Sequence, residues 1–146
     1  MSDTHTYTTS VTYTELRKGV LSSEGLSSLE VATPPQFPNG HEGIWSPEHL
    51  FVASAEVCLM TTFLSIAEKS RLEFLHYSSE AVGTLEKTEE GMVMTNIVIK
   101  PKVVIKDGSK VERTLLLLEK AEKYCLISNS MKSEVSIEPT VEVSEA

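Results

Sequence analysis

The most informative part of the sequence for the fold is residues 46–69, "SPEHLFVASAEVCLMTTFLSIAEK". It opens with the signals of a helix start, because Ser46 is a favourable N-cap residue and Pro47 suits the first helical position. The residues that follow are apolar on nearly every face, interrupted by a few hydroxyl side chains and by Glu56. An acidic residue near the centre of a bilayer would cost about 2.5–3.5 kcal/mol. The pattern therefore predicts a core helix of a globular domain rather than a membrane span.

The segments on both sides of this helix predict β-strands. Residues 6–19 and 27–33 are rich in threonine, serine and valine, and a turn-prone "SSEG" lies between them. After the helix, residues 76–108 contain two extended segments around "EEG", which predicts a β-hairpin. Pro101 is expected at an irregularity or at a sheet edge, because proline has no N–H for a ladder hydrogen bond.

The C-terminal part predicts a second helix and a last strand. Ser109 followed by Glu112 has the spacing of a capping box, ahead of an apolar run that reaches Tyr124. Residues 134–143 then predict a strand. Strands come in runs with few helices between them, so the order of elements predicts an α+β fold. Residues 1–146 contain no repeat and no long linker, which indicates a single domain.

The composition argues against several classes of function. Thirteen basic and twenty-one acidic residues give a net charge of −8, which disfavours a surface for nucleic acid or for anionic lipid. No signal peptide is recognisable at the N-terminus, so a cytoplasmic location with reduced thiols is expected. His41 and His49 lie near Glu42 and Glu48, but their spacing matches no closed metal site. We expect neither a metal nor a cofactor.

The two cysteines are the candidate reactive groups. Cys58 lies within the apolar helix, where free cysteine usually serves as a small hydrophobic side chain. Cys125 lies where the second helix should end, a position that suits a thiol which has to move. Burial in apolar surroundings raises the pKa of a cysteine, which opposes its use as a nucleophile. A reactive Cys58 would therefore need a compensating cation.

Both cysteine segments resemble those of the OsmC/Ohr proteins, thiol-dependent peroxidases that act on organic hydroperoxides. "EKAEKYCLISNSMKSEVSIE" resembles the second segment, although Leu126 replaces the usual proline while Ser128 is retained. The resemblance extends from about residue 10 to residue 143. It implies an OsmC-like fold, with antiparallel sheets packed around two long helices in an intertwined homodimer. In the first segment, "SPEHLFVASAEVCLMTTF", the residues at family positions are Pro47, Glu48, Leu50, Phe51 and Cys58.

The resemblance also implies a two-cysteine mechanism. Cys58 would attack the hydroperoxide as a thiolate and become a sulfenic acid. Cys125 would resolve this acid by forming an intramolecular disulfide, with release of water. A dithiol reductant, typically a lipoylated protein in this family, would then restore both thiols. The apolar helix suits organic hydroperoxides, because their alkyl groups gain by leaving water.

The family activates its thiolate with an arginine held by a glutamate. The glutamate corresponds to Glu48, and Arg17 resembles the arginine that lies early in the chain of the Ohr branch. Read by themselves, Glu48 would be an ordinary helix N-terminal acid and Arg17 an exposed charge at a strand end. Glu48 and Cys58 are ten residues apart, which is about 15 Å along one helix. A symmetric homodimer would instead bring Glu48 towards the partner subunit's Cys58.

Glu56 fits this mechanism poorly, because a carboxylate near Cys58 would oppose ionisation of the thiol. Two residues along a helix it should point about 200° away from Cys58, towards a structural contact or solvent. An alternative function is therefore a non-catalytic OsmC-like protein that binds a small apolar ligand in the dimer cavity. Leu126, Glu56 and the lack of an arginine in residues 34–43, where the OsmC branch of the family carries it, favour this alternative. Both hypotheses stay open at this point.

Overall fold

The computed structural model describes residues 3–144, which form two compact units. The first unit ends at Phe51 and the second begins at Val52, so the division falls within the longest helix. The strands and the two long helices that the sequence predicts are present. In chain order the elements are β1 Ser10–Tyr13, β2 Lys18–Ser22, β3 Leu29–Ala32, α1 Pro47–Lys69, β4 His76–Thr88, β5 Gly91–Ile105, a 3-10 turn Gly108–Lys110, α2 Val111–Lys123, α3 Leu126–Asn129, β6 Glu134–Ile137 and β7 Thr140–Val143.

The first unit contains an antiparallel sheet in the order β1-β2-β3. The predicted strand over residues 6–19 is in fact β1, a tight turn and the start of β2. The turn is closed by the Lys18 N–H, which donates to the Glu15 carbonyl at 2.8 Å. Its two central residues, Leu16 and Arg17, have φ of 46° and 71°. This is the conformation of a type I′ hairpin turn, which Asn and Gly adopt at lower energy.

Helix α1 begins as predicted. The His49 N–H donates to the Ser46 hydroxyl at 3.1 Å, which is the hydrogen bond of an N-cap, and Ser46 is fully buried. By length and hydropathy alone α1 is able to cross a membrane. Its residues Leu59 and Phe63, however, lie in the apolar core of the second unit. A core helix of a globular domain meets the same length test, so length and hydropathy are weak evidence for a span.

The second unit contains a sheet built on the long hairpin of β4 and β5. Strand β5 is central, because β6 and β7 pair with its other edge. Both of these pairings are parallel, so the expectation of purely antiparallel sheets is wrong for this edge. The reason is the connection: the chain leaves the end of β5, crosses through α2 and α3, and returns in the same direction.

The predicted last strand is divided into two at residues 138–139. Strand β6 pairs with residues 96–99 of β5, and β7 pairs with residues 102–105. Pro101 lies at the break between these two partners, which agrees with the irregularity expected for a residue without an N–H.

The predicted capping box of the second helix is not formed. The Asp107 carboxylate accepts hydrogen bonds from the Ser109 N–H at 2.9 Å and from its hydroxyl at 2.6 Å. A 3-10 turn follows, and α2 begins only at Val111. An aspartate favours such a cap as strongly as serine does, and it lies two residues earlier. The buried core of the second unit consists of Ala55, Leu59, Phe63, Ala67, Leu72, Ile97, Ile99, Val103, Ile105, Leu117, Leu118 and Ala121.

Candidate active site

Cys58 occupies the middle of α1 and is buried, with 8% of its surface exposed. Leu59, the next residue, packs in the core of the second unit, so Cys58 lies at the edge of the α1 face that packs there. Thr62 follows one helical turn later, where i and i+4 side chains meet. Its hydroxyl lies 3.8 Å from the Cys58 Sγ. The helix thus holds the thiol against one polar neighbour of its own.

Cys125 lies in the short break between α2 and α3. Its backbone is extended and it is the N-cap residue of the four-residue helix α3. The side chain is 1% exposed, and the Ser128 hydroxyl donates to its Sγ at 3.3 Å. The break between the helices frees the backbone N–H groups of Leu126 and Ile127 from helical hydrogen bonds.

These two segments meet in the second unit. Burial raises the pKa of the Cys58 thiol, but hydrogen bonds outweigh this effect and the net pKa is lowered. The donors are the Ile127 N–H, then the Cys125 thiol, the Thr62 hydroxyl and the Leu126 N–H. Each of them stabilises the thiolate more than the thiol. A compensating cation is expected from the sequence, whereas neutral donors stabilise the Cys58 thiolate in the second unit.

The pKa of Cys125 moves in the opposite direction. Burial raises it, and the hydrogen bond and charge of the neighbouring Cys58 raise it further, while the contacts with Ser128 only partly offset these effects. As pH rises, Cys58 therefore ionises first and Cys125 retains its proton. Such an arrangement provides one nucleophilic sulfur and one protonated thiol in the same buried place.

Glu48 and Arg17 lie in the first unit, where both line one cavity of about 680 Å³. Most of the other lining side chains are apolar, among them Tyr13, Leu21 and Phe37. The Glu48 Oε1 is buried, and it accepts no hydrogen bond from any residue between 3 and 144. Over the same range, Glu48 and Arg17 form no ion pair with each other. The predicted glutamate–arginine pair is thus brought into one cavity but is not closed within one chain.

Glu56 faces strand β4. The Ser79 hydroxyl donates to its carboxylate at 2.5 Å, and the residue is half-buried. Glu56 is absent from the groups that shift the pKa of Cys58, in line with the expected orientation away from this thiol.

Tyr77 is the residue near this site that sequence reasoning missed. It lies two positions before Ser79, on the same side of β4, and its ring packs on Phe63 with centroids 5.5 Å apart. Its hydroxyl is buried and has no hydrogen-bond partner within residues 3–144. Burial, followed by the charges of Glu56 and Cys125, raises its pKa to about 12. Alternation along β4 could have placed Tyr77 inward, but not close to a cysteine that lies 48 positions later.

The histidine cluster considered from the sequence has other contacts. His49 meets the Ser46 hydroxyl through both its Nδ1 and its backbone N–H, and the His41 Nε2 contacts the Leu16 carbonyl. Within residues 3–144, no three side chains of the types that bind metals gather in one place.

Solved structures resemble the chain over nearly its full length. A structure described as an OsmC-like protein of unknown function from Vibrio cholerae has 29% identity and a TM-score of 0.85, covering 93% of this chain and 99% of its own. An organic hydroperoxide resistance protein from Elizabethkingia anophelis has 20% identity and a TM-score of 0.75, with coverage of 99% and 100%. One from Legionella pneumophila has 22% identity and a TM-score of 0.75, with coverage of 97% and 100%. These last two likenesses concern the fold alone.

The sequence comparisons agree with the structural ones. The uncharacterized protein YmaD of Bacillus subtilis is 25% identical over 111 residues, which cover 74% of this chain and 73% of YmaD. The family model described as OsmC-like protein matches residues 40–140, a range that includes both cysteines and Glu48. The chain therefore belongs to the OsmC-like protein family.

Proposed function

We propose that the protein is a thiol-dependent peroxidase that reduces organic hydroperoxides with Cys58 and Cys125. One observation carries the proposal: Cys58 and Cys125 are both buried, they interact with each other, and their pKa values are shifted in opposite directions. A thiolate is the nucleophilic form of cysteine, so the lowered pKa suits Cys58 for the first step, and Cys125 is the neighbouring thiol that can attack its sulfur in the second. Solved structures of similar fold that are described as organic hydroperoxide resistance proteins support the same reaction class.

The reaction balances with these two groups. The Cys58 thiolate attacks the terminal oxygen of the hydroperoxide, the O–O bond breaks, and the alkoxide leaves and takes up a proton as an alcohol. Cys58 is then a sulfenic acid. Cys125 loses its proton and attacks the Cys58 sulfur, and the hydroxyl group leaves as water while the disulfide forms. A dithiol reductant returns the disulfide to two thiols by exchange.

Organic hydroperoxides suit this site better than hydrogen peroxide. Leu126, whose backbone N–H faces the Cys58 sulfur, is 66% exposed. An alkyl group that covers such surface gains about 25 cal/mol for each Å² of apolar area removed from water.

We infer that the active form is a homodimer in which Glu48 and Arg17 complete the site. The buried Glu48 Oε1 has no partner within residues 3–144, and a buried unpaired carboxylate oxygen is costly. In the second unit, Val57 and Leu64 lie seven residues apart on α1, and both are exposed apolar side chains. A second copy would cover this face. As in the sequence argument, we place the protein in the cytoplasm, where a dithiol reductant is available.

The disulfide step is tested on the reduced protein. One equivalent of an organic hydroperoxide is added without reductant, and the thiols are mapped by mass spectrometry. We expect a rapid Cys58–Cys125 disulfide in each chain. Two surviving free thiols would exclude the peroxidase, whereas a disulfide between chains would exclude only the intramolecular second step.

The role of Arg17 is tested with a variant that removes its side chain and also suits its backbone conformation. Because Arg17 has φ of 71°, Arg17→Gly removes the guanidinium and also favours the turn. We expect peroxidase activity to fall while the free energy of unfolding is unchanged or higher. Leu16→Gly is the matched control, since it eases the same turn at φ of 46° and keeps the arginine. Equal activity in both variants would remove Arg17 from the mechanism.

A second candidate function is binding of a small apolar ligand without turnover. The cavity of about 680 Å³ in the first unit favours it, because its walls are mostly apolar and its volume suits a small molecule. The thiol-mapping experiment separates the two functions, since a binding protein would keep both thiols free after exposure to hydroperoxide.

A further inference from the structure

A groove in the second unit has no part in the proposed reaction. It lies beyond the end of α1, and its volume is about 830 Å³, within the range of sites for small molecules. We call it the basic groove. Its walls are residues 70–75, which follow α1, and residues from the turn before α2 and its first helical turn, namely Lys106, Asp107, Lys110 and Arg113.

The basic groove concentrates positive charge in an acidic protein. The chain has only thirteen lysines and arginines against twenty-one acids, and four of those cations line this one groove. Between residues 3 and 144 none of the four takes part in an ion pair. All four side chains are exposed, so an anion that enters the groove would meet several positive charges together. The four are Arg71, Lys106, Lys110 and Arg113.

The acidic residues of the groove do not balance these cations. Asp107 accepts hydrogen bonds from the N–H and the hydroxyl of Ser109, and these contacts lower its pKa. Its carboxylate therefore caps the 3-10 turn, and the charge of Lys110 also contributes to the lowered pKa. Glu73 is the other acid of the lining, which leaves four cations against two carboxylates.

Both arginines of the groove lie at the C-terminal cap of α1. Arg71 has φ of 55° directly after α1, and the Leu72 N–H closes the helix on the Ala67 carbonyl at 2.9 Å. Glycine is the usual residue at this left-handed cap, because a Cβ makes the conformation unfavourable. Arg113 donates from Nη2 to the Ser70 carbonyl at 2.7 Å. Arg71 therefore occupies a position where glycine has a lower conformational energy, directly after the residue whose carbonyl binds Arg113.

One wall of the groove is apolar. Leu72 is buried and Phe74 is half-buried, whereas Leu75 is 50% exposed. An apolar group resting on Leu75 would leave water while an attached anion met the arginines. Guanidinium groups match the geometry of phosphate and carboxylate oxygens.

We propose that the basic groove binds a small organic anion, with a phosphate or carboxylate group on Arg71 and Arg113 and an apolar part on Leu75. Binding neutralises the cations and covers the apolar wall at the same time. The site is separate from the two cysteines in its residues and in its chemistry, so it does not depend on the proposed reaction.

Isothermal titration calorimetry on the full chain tests the site with four probes: phenyl phosphate, phenylacetate, inorganic phosphate and uncharged benzyl alcohol. We expect phenyl phosphate or phenylacetate to bind more tightly than inorganic phosphate, and benzyl alcohol not to bind. Binding by phenyl phosphate alone would assign the head group as phosphate, and binding by phenylacetate alone as carboxylate. Failure of both aromatic anions to bind at millimolar concentration would overturn the proposal.

Variants locate the binding. Arg71→Gly should weaken the affinity at least tenfold while the melting temperature stays equal or rises, since glycine suits φ of 55°. Arg113→Gln should weaken it similarly. Lys100→Gln is the matched control, because Lys100 is exposed on β5 and lies outside the groove. Equal affinity in Arg71→Gly and Lys100→Gln would show that the anion binds elsewhere.

Discussion

Cys58 and Cys125 are the same chemical group in one buried place, yet their pKa values move apart. Cys58 is in the middle of a helix, and N–H, S–H and O–H donors from other residues point at its sulfur. Cys125 is at a break between helices, with Ser128 as its side-chain donor and the Cys58 sulfur as an unfavourable neighbour. Burial raises both pKa values, so the difference comes from the donors that face Cys58 and from the hydrogen bond and charge of Cys58, which raise the pKa of Cys125. Hydrogen bonding, more than exposure, decides which sulfur attacks first.

Exchange of each cysteine for serine should give the largest effect. Cys58→Ser should lower the rate of hydroperoxide consumption on the order of a thousandfold or more, as expected when a nucleophile is removed. Cys125→Ser should still consume one equivalent per chain and stop at the sulfenic acid, seen as one added oxygen atom by mass spectrometry. If Cys125→Ser loses the first step and Cys58→Ser keeps it, the two roles are reversed.

The pH dependence of alkylation measures the difference directly. With iodoacetamide, the midpoint for Cys58 should lie below the usual cysteine value and that for Cys125 above it. In Cys58→Ser the midpoint of Cys125 should fall, because the neighbouring thiolate charge is gone. If the wild-type midpoints follow this order but the midpoint of Cys125 is unchanged in Cys58→Ser, then burial, and not the partner thiol, sets the pKa of Cys125.

The pKa shifts of Cys58 and Cys125 make the free energy of unfolding depend on pH in opposite directions. The folded pKa of Cys58 lies below its unfolded value, so this thiol contributes stability above the unfolded pKa and loses it as pH falls through the folded pKa. The folded pKa of Cys125 lies above its unfolded value. Its contribution is therefore present below the unfolded pKa and is lost as pH rises through the folded one.

Tyr77 is affected by only one of the two thiols. Burial, then the charges of Glu56 and Cys125, raise its pKa, and Cys58 is not among the causes. Tyr77→Phe should raise the free energy of unfolding by about 1–2 kcal/mol, since it removes a buried hydroxyl that lacks a partner. Wild type should lose stability as pH rises from the unfolded tyrosine value to about 12, and the variant should lose less. Chemical denaturation at several pH values measures both effects.

Tyr13→Phe is the control for this measurement, because Tyr13 is 73% exposed and its replacement should change the free energy of unfolding by less than about 0.5 kcal/mol. A destabilised Tyr77→Phe would indicate that the hydroxyl has a hydrogen-bond partner in solution.

The smallest effects are expected from the side-chain donors. Thr62→Val removes one donor to Cys58, so its pKa should rise and the rate of hydroperoxide reduction at neutral pH should fall about fivefold, equivalent to about 1 kcal/mol. Ser128→Ala removes the donor to Cys125, whose pKa should rise further while the first step is unchanged. Stopped-flow kinetics with excess hydroperoxide separate the two steps. A slower first step in Ser128→Ala would mean that Ser128 serves Cys58 instead.

Much of the fold could be read from local patterns. Ser46 and Pro47 mark the start of α1, and "EEG" marks the hairpin of β4 and β5, because caps and tight turns depend on a few adjacent residues. The parallel pairing of β6 and β7 could not be read in this way, because strand direction depends on the path of the whole connection. The turn at Leu16 and Arg17 was equally hidden, since neither residue favours positive φ.

The candidate site also combines features that the sequence predicts with features that it does not. The residue types identified Cys58 and Cys125, and family resemblance added Glu48 and Arg17, but residue types do not predict which thiol is the stronger acid. That order depends on the N–H groups of Leu126 and Ile127 and on the interaction between the two thiols, which join parts of the chain almost 70 residues apart. The basic groove likewise collects cations from two separate segments. Local chemistry is enough to predict most helices and strands and the two reactive groups. How those groups are paired depends on the tertiary structure, because hydrogen bonds and charges act through space.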